Sequence, residues 1–112
     1  MPFTVNKSQQ FSHPPSVVYE AAKGAIEGLE GKLQDESSAS DMKLVAKFHK
    51  TILGKVLGDR AWMQVAISAE DDGSSRLDLT AYPLDAVGRK LMFGARKGAL
   101  STLLSWFDAH LN

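Results

Sequence analysis

Two kinds of hydrophobic spacing run along this chain. Between positions 41 and 82, apolar residues alternate with polar ones; in the 19 positions from Phe93 to Leu111 they recur every third or fourth residue. In the segment Phe93–Leu111, the residues Ala99, Leu100, Leu103, Leu104, Phe107 and Leu111 fall on one side. Lys97, Ser101, Ser105 and Asp108 lie opposite. This predicts an amphipathic helix with one broad apolar face. Asp41–His49 alternates Met42, Leu44, Ala46 and Phe48 against Lys43, Val45, Lys47 and His49. Arg60–Glu70 sets Ala61, Met63, Val65, Ile67 and Ala69 against Trp62, Gln64, Ala66 and Ser68. Arg76–Tyr82 sets Leu77, Leu79 and Ala81 against Arg76, Asp78, Thr80 and Tyr82. All three read as half-buried strands. Asp71-Asp72-Gly73 joins the last two as a hairpin turn, and Pro83, which has no N–H, is expected to end the ladder.

The first third is less regular. Phe3, Val5, Lys7, Gln9 and Phe11 share one side of an imperfect strand, expected at a sheet edge. Pro14-Pro15 then opens a helix with the apolar stripe Val18, Ala22, Ala25, Ile26 and Leu29, and Gly28 and Gly31 mark its end. Gly24 weakens this helix by about 1 kcal/mol relative to alanine. Lys32–Glu36 holds a short strand before a serine-rich turn. Thr51–Asp59 is a loop or a hairpin connection with exposed apolar side chains, and Asp85–Met92 is a connection. The resulting β-α-β-β-β-α order gives an α+β fold, a two-layer sandwich. An antiparallel sheet of about four strands carries both helices on one face. The other face is left uncovered.

With 112 residues, 44% hydrophobic and 23% charged, the chain is expected to form a single domain, 1–112, with its own core. It has no cysteine, which removes disulfide and thiolate chemistry. The start, MPFTVNKSQQ, has no signal-peptide apolar run, and no stretch is long enough to span a membrane. A cytoplasmic protein of bacterial type is the expectation. The net charge of zero argues against a general nucleic-acid binder. The charge is nevertheless segregated. Glu20–Asp41 holds six acids and two lysines, whereas Lys43–Arg60 holds five bases and one acid.

PPSVVYEAAKGAI after the first strand resembles the START-related (Bet v 1-like, SRPBCC, helix-grip) proteins. Pro14, Pro15, Val18 and Tyr19 match their apolar-Pro-Pro-x-x-Val-Tyr/Trp pattern. The whole element order is also similar to small uncharacterised bacterial proteins of β-α-β-β-β-α order, the DUF1499-like group. The helix-grip resemblance implies a curved sheet gripping the last helix and a cavity for lipid or another apolar molecule between them. This chain is shorter than that plan by roughly two strands, and the resemblance carries over no catalytic residue.

The candidate chemistry is that of binding. No nucleophile–base pair, phosphate loop or metal-ligand spacing is present, so no catalytic residue, cofactor or metal is assigned. His13, His49 and His110 are far apart in sequence. On the uncovered sheet face Val45, Lys47, Trp62, Gln64, Arg76 and Tyr82 are candidates to bind a ligand, a partner protein or a second copy of the chain. Ile52, Leu53, Val56 and Leu57, interspersed with Lys50 and Lys55, form a candidate membrane-docking loop at 51–58. Arg89, Lys90, Arg96 and Lys97 cluster before the last helix as a candidate anion site. Three readings follow: a non-enzymatic binding or interaction module using the open sheet face, a helix-grip binder or cyclase-like enzyme for apolar molecules, and a membrane-surface protein. An enzyme of the second kind needs a pocket lined by Met63, Leu79, Leu103 and Phe107, with His49 or Asp78 turned into it.

Overall fold

The strands alternate and the helices are amphipathic, so each apolar set has to meet another. A computed structural model describes residues 4–49, 51–52, 54–56, 60–70, 72–84, 89–90 and 99–111. In chain order the elements are β1 (Val5–Phe11), α1 (Pro15–Gly28), β2 (Lys32–Leu33), β3 (Lys43–Phe48) and β4 (Thr51–Ile52). They continue with β5 (Lys55–Val56), β6 (Arg60–Ala69), β7 (Ser75–Leu84) and α2 (Ala99–Leu111). Five strands form one antiparallel sheet in the order β1-β7-β6-β3-β2, the fifth being the short strand expected within Lys32–Glu36. β1 is an edge, as expected, and its partner is β7 from the far end of the sequence.

The inward rows hold except at their ends, where Met42 is half-buried with a left-handed backbone (φ 53) and Ala69 is exposed. Leu44, Ala46, Phe48, Ala61, Met63, Val65, Ile67, Leu77, Leu79 and Ala81 are all buried. They form one cluster with Val18, Tyr19, Ala22, Ala25, Ile26 and Leu29 of α1 and its following turn, and with Leu103, Leu104 and Phe107 of α2. Both helices therefore lie on one face of the sheet. Burying a side chain of this size contributes about 1.5–3 kcal/mol, so this cluster supplies the main driving force for the fold. Lys7, inward-facing on β1, reaches α2 and pairs with Asp108 at 2.6 Å.

α1 begins where the prolines place it. Pro14 is extended (ψ 156), and its carbonyl accepts from the N–H groups of Val17 (3.1 Å) and Val18 (3.2 Å). At the other end the Gly31 N–H donates to the Ile26 carbonyl at 2.8 Å and the Glu30 N–H to the Glu27 carbonyl at 3.0 Å. These two bonds make a Schellman cap. Its left-handed residue is Glu30 (φ 61) and not a glycine. Gly31 serves for closeness instead: a Cβ there would lie 2.7 Å from both Ile26 Cγ2 and Phe48 Cε1.

Three expectations need correction. Pro83 does not end the ladder: β7 runs on to Leu84, with Pro83 opposite Ala61 and Leu84 opposite Arg60. One missing donor costs least near the end of a ladder. Val45 points to the outer face yet is only 1% exposed and lies outside the main core cluster. The Ser37 hydroxyl accepts from its N–H (2.9 Å) and donates to its carbonyl (3.1 Å), and the Gln34 N–H donates to the same carbonyl at 2.8 Å, so the chain after β2 stays against Val45 through both a side chain and the backbone. The segment after β3 is a hairpin, β4 with β5, turning at Gly54 (φ 78), which is one of the two expected forms, but its apolar side chains are not all exposed. Its Ile52 is buried in the core and not exposed.

Candidate functional site

The outer face of the sheet is built by cross-strand rows. β3, β6 and β7 are in register, so Lys47 stands opposite Trp62 and Trp62 opposite Tyr82. The row extends to β2, where Lys32 stands opposite Lys47. Trp62 and Tyr82, both half-buried, stack with ring centroids 4.7 Å apart and planes at 16°. Lys90, which bridges back to Leu84, holds its Nζ 5.0 Å from the centroid of the Tyr82 ring. Such a cation–π contact contributes about 0.5–1 kcal/mol at an exposed site. Desolvation pushes the Tyr82 hydroxyl above its ordinary value of 10.0, and the Glu36 carboxylate adds to the rise. The row therefore runs lysine, lysine, tryptophan, tyrosine, with a third lysine over the last ring.

The other half of this face is closed on itself. Ser8 donates to Asp78 at 2.5 Å, Arg76 Nε donates to the same oxygen at 3.1 Å, and Thr80 donates to Asn6 at 3.0 Å. The Ser8 bond, opposed by slight desolvation and helped by Arg76, holds the Asp78 carboxyl below its usual 3.8. Along β7, Arg76 lies six residues from Tyr82, about 20 Å at strand spacing.

The structure thus divides the six sheet-face candidates. Lys47, Trp62 and Tyr82 come together, with Gln64 two residues along β6. Val45 is buried and offers no surface, and Arg76 is remote and engaged with Asp78. Sequence reasoning missed Lys32 and Glu36, because their place depends on the β2–β3 register. The parity of the short KLQDE strand is the signal that bears on Lys32. In the anion candidate set, Arg89 is exposed and Lys90 sits over Tyr82, while Arg96 and Lys97 lie outside the described residues. In the apolar loop, Ile52 is core and Val56 pairs through its backbone with Thr51; Leu53 and Leu57 lie outside the described residues.

Among the described residues, no acid or base lies in the interior at the helix-grip position. Met63, Leu79, Leu103 and Phe107 are 0%, 3%, 0% and 1% exposed and belong to one core cluster. His49 is exposed, its Nδ1 accepting from the Thr51 N–H at 3.4 Å, and Asp78 faces outward. Among the described residues, no group of His, Asp and Glu side chains is arranged to hold a metal ion. No described helix is long and apolar enough to cross a membrane. A separate pocket of about 310 Å³ opens where the end of β1 meets both helices, lined by Phe11, His13, Val17, Val18, Ala21 and Leu111.

Comparison with solved structures gives the fold its class. The chain is similar to Ara h 8.0201, with a TM-score of 0.60 and 9% identity over 96% of this chain and 94% of that one. It is similar to a protein from Nitrosospira multiformis, with a TM-score of 0.59 and 9% identity over 96% and 92%. It is also similar to the Zhui aromatase/cyclase from a Streptomyces species, with a TM-score of 0.55 and 9% identity over 96% and 87%. The fold is START/Bet v 1-like, and at this identity the likeness extends to the fold alone. No family model and no curated protein matches the chain, so the DUF1499-like resemblance gains no support.

Proposed function

We propose that the chain is a single domain that acts in the cytoplasm as a non-enzymatic small-molecule binding module, with the outer face of its sheet as the binding surface. One observation carries this reading: Trp62 and Tyr82 are stacked and half-exposed on a face where the described residues place no helix. Stacked rings on a regular sheet are held rigid by the strands, so little conformational entropy is lost when a ligand docks. The hydrogen-bonded half of the face, from Asn6 to Asp78, stiffens the same platform. The apolar interior supports binding over catalysis, since the described residues present no buried acid or base beside a cavity.

A ligand-observed and amide-detected NMR screen of small aromatic and aliphatic fragments tests it. Fragment-induced shifts are expected to cluster at Lys47, Trp62, Gln64 and Tyr82 and to vanish in Trp62→Ala. Shifts confined to other surfaces, or none, would overturn the reading. A second copy of the chain is the competing occupant. Dimerisation in sedimentation that Trp62→Ala abolishes would assign the face to self-association instead.

A second reading is favoured by the pocket at the helix junction. Its volume of about 310 Å³ and its mainly apolar lining suit a small apolar molecule. The START/Bet v 1-like fold supports this reading too. Fragment shifts at Val17, Ala21 and Leu111 would select it.

A further inference from the structure

The outer-face row contains a contradiction that ordinary stability would remove. Lys32 and Lys47 are directly opposite across β2 and β3, both exposed. Like charges in that position are destabilising. Among the described residues, Lys7 pairs with Asp108 and Arg76 with Asp78, whereas neither Lys32 nor Lys47 has a carboxylate partner. The unpaired positive charge sits next to Trp62, because Lys47 is Trp62's cross-strand neighbour.

The ring faces tell which surface is available. One face of Trp62 is against Tyr82. Lys90 lies over the Tyr82 ring. The other Trp62 face is the one on the side of its cross-strand neighbour Lys47, with Lys32 beyond it. A flat ring laid there continues the stack, and a negative group on that ring reaches the two ammonium groups beyond it. An anion in that place also relieves their repulsion.

We infer that this end of the row is a site for a small planar aromatic anion, such as an aryl carboxylate, with its ring on Trp62 and its charge between Lys47 and Lys32. This rests on the outer-face reading above and narrows it to a ligand class and a subsite. Glu36, whose carboxylate acts on Tyr82 and whose neighbour Ser37 is bonded to Val45 of β3, opposes the anion. Aliphatic anions lack the stacking surface, and neutral aromatics lack the charge. Both halves of the ligand are thus required.

The probe is 2-naphthoate, titrated into the Trp106→Phe protein so that Trp62 is the only fluorophore of its kind. The neutral control is 2-naphthalenemethanol and the non-planar control cyclohexanecarboxylate. Naphthoate is expected to quench Trp62 and to bind more tightly than either control. Lys47→Gln and Lys32→Gln should each weaken it about two- to fivefold, the range for an exposed charge pair, and added salt should weaken it further. Glu36→Gln should strengthen it slightly. Trp62→Leu, which keeps an apolar strand residue, should abolish ring-dependent shifts at Lys47 in the amide spectrum. Equal binding of the neutral and anionic naphthalenes, or indifference to both lysine substitutions, overturns the inference while leaving the outer-face reading standing. Naphthoate shifts that avoid Trp62 altogether overturn both.

Discussion

Gly31→Ala is expected to destabilise the protein, and the structure sets the size of the loss. The added Cβ would lie 2.7 Å from Ile26 Cγ2, 2.7 Å from Phe48 Cε1 and 2.9 Å from Phe48 Cζ. Carbon atoms pack at about 3.5–4.0 Å, so each neighbour would have to retreat by close to 1 Å. Neither can do so cheaply. Ile26 and Phe48 are 0% and 1% exposed and lie in the core cluster that joins α1 to β3. Overpacking of this kind costs about 1–3 kcal/mol. Against it stands the gain of about 0.4–1 kcal/mol that any Gly→Ala change brings by restricting the unfolded chain. The expected net loss is about 1–2 kcal/mol, read as a lower urea midpoint at unchanged slope. Gly24→Ala supplies the control. It lies exposed in the middle of α1 with nothing within 4 Å of the added carbon, so it should stabilise by about 1 kcal/mol. The two variants share the unfolded-state term, and their difference isolates the clash. If Gly31→Ala proves as stable as Gly24→Ala, α1 does not close on β3 in this way.

Three further outcomes are expected. Ser75 is fully buried and its hydroxyl donates to the His13 carbonyl at 2.5 Å, tying β7 to the entry of α1. Ser75→Ala should therefore cost about 1–2 kcal/mol in a denaturant titration, and no loss would mean that this tie contributes nothing. The Asp78 carboxyl is held below 3.8 chiefly by the Ser8 hydroxyl. Its contribution to stability is thus present above the unfolded value and lost as pH falls through the lower folded value. Ser8→Ala should move the Asp78 NMR titration back toward 3.8, and an unmoved midpoint would assign the shift elsewhere. Lys32→Glu replaces a like-charged cross-strand pair with an opposite one. Thermal unfolding should rise by a few degrees, for about 0.2–1 kcal/mol, while naphthoate binding weakens. A falling midpoint would show that the two lysines do not oppose each other.

Much of the fold was legible because burial follows parity. Met63, Val65, Ile67, Leu77 and Leu79 could face only one way once their strands alternated, and Leu103 and Phe107 had to meet them. The pairing of β1 with β7 was not legible, since nothing local in VNKSQQF names a partner some 70 positions away. Pro83 misled because a rule about donors does not say how far along the ladder the loss falls. Val45 misled because parity says which face a side chain points to and not whether that part of the face is open. The candidate site was half legible. Lys47, Trp62 and Tyr82 share a face by parity alone, but their standing in one row depends on two registers, and the inclusion of Lys32 on a third. Arg76 shares the same parity, and only its distance along β7 and its bond to Asp78 separate it from the aromatic pair.

The central claim is that the outer face of the sheet binds, at Trp62. A crystal structure of the protein soaked with 2-naphthoate tests it most directly. The account predicts the naphthalene ring against the Trp62 face away from Tyr82, with the carboxylate within reach of Lys47 and Lys32. Naphthoate seated instead among Phe11, Val17 and Leu111, or inside the core between α2 and the sheet, would contradict it.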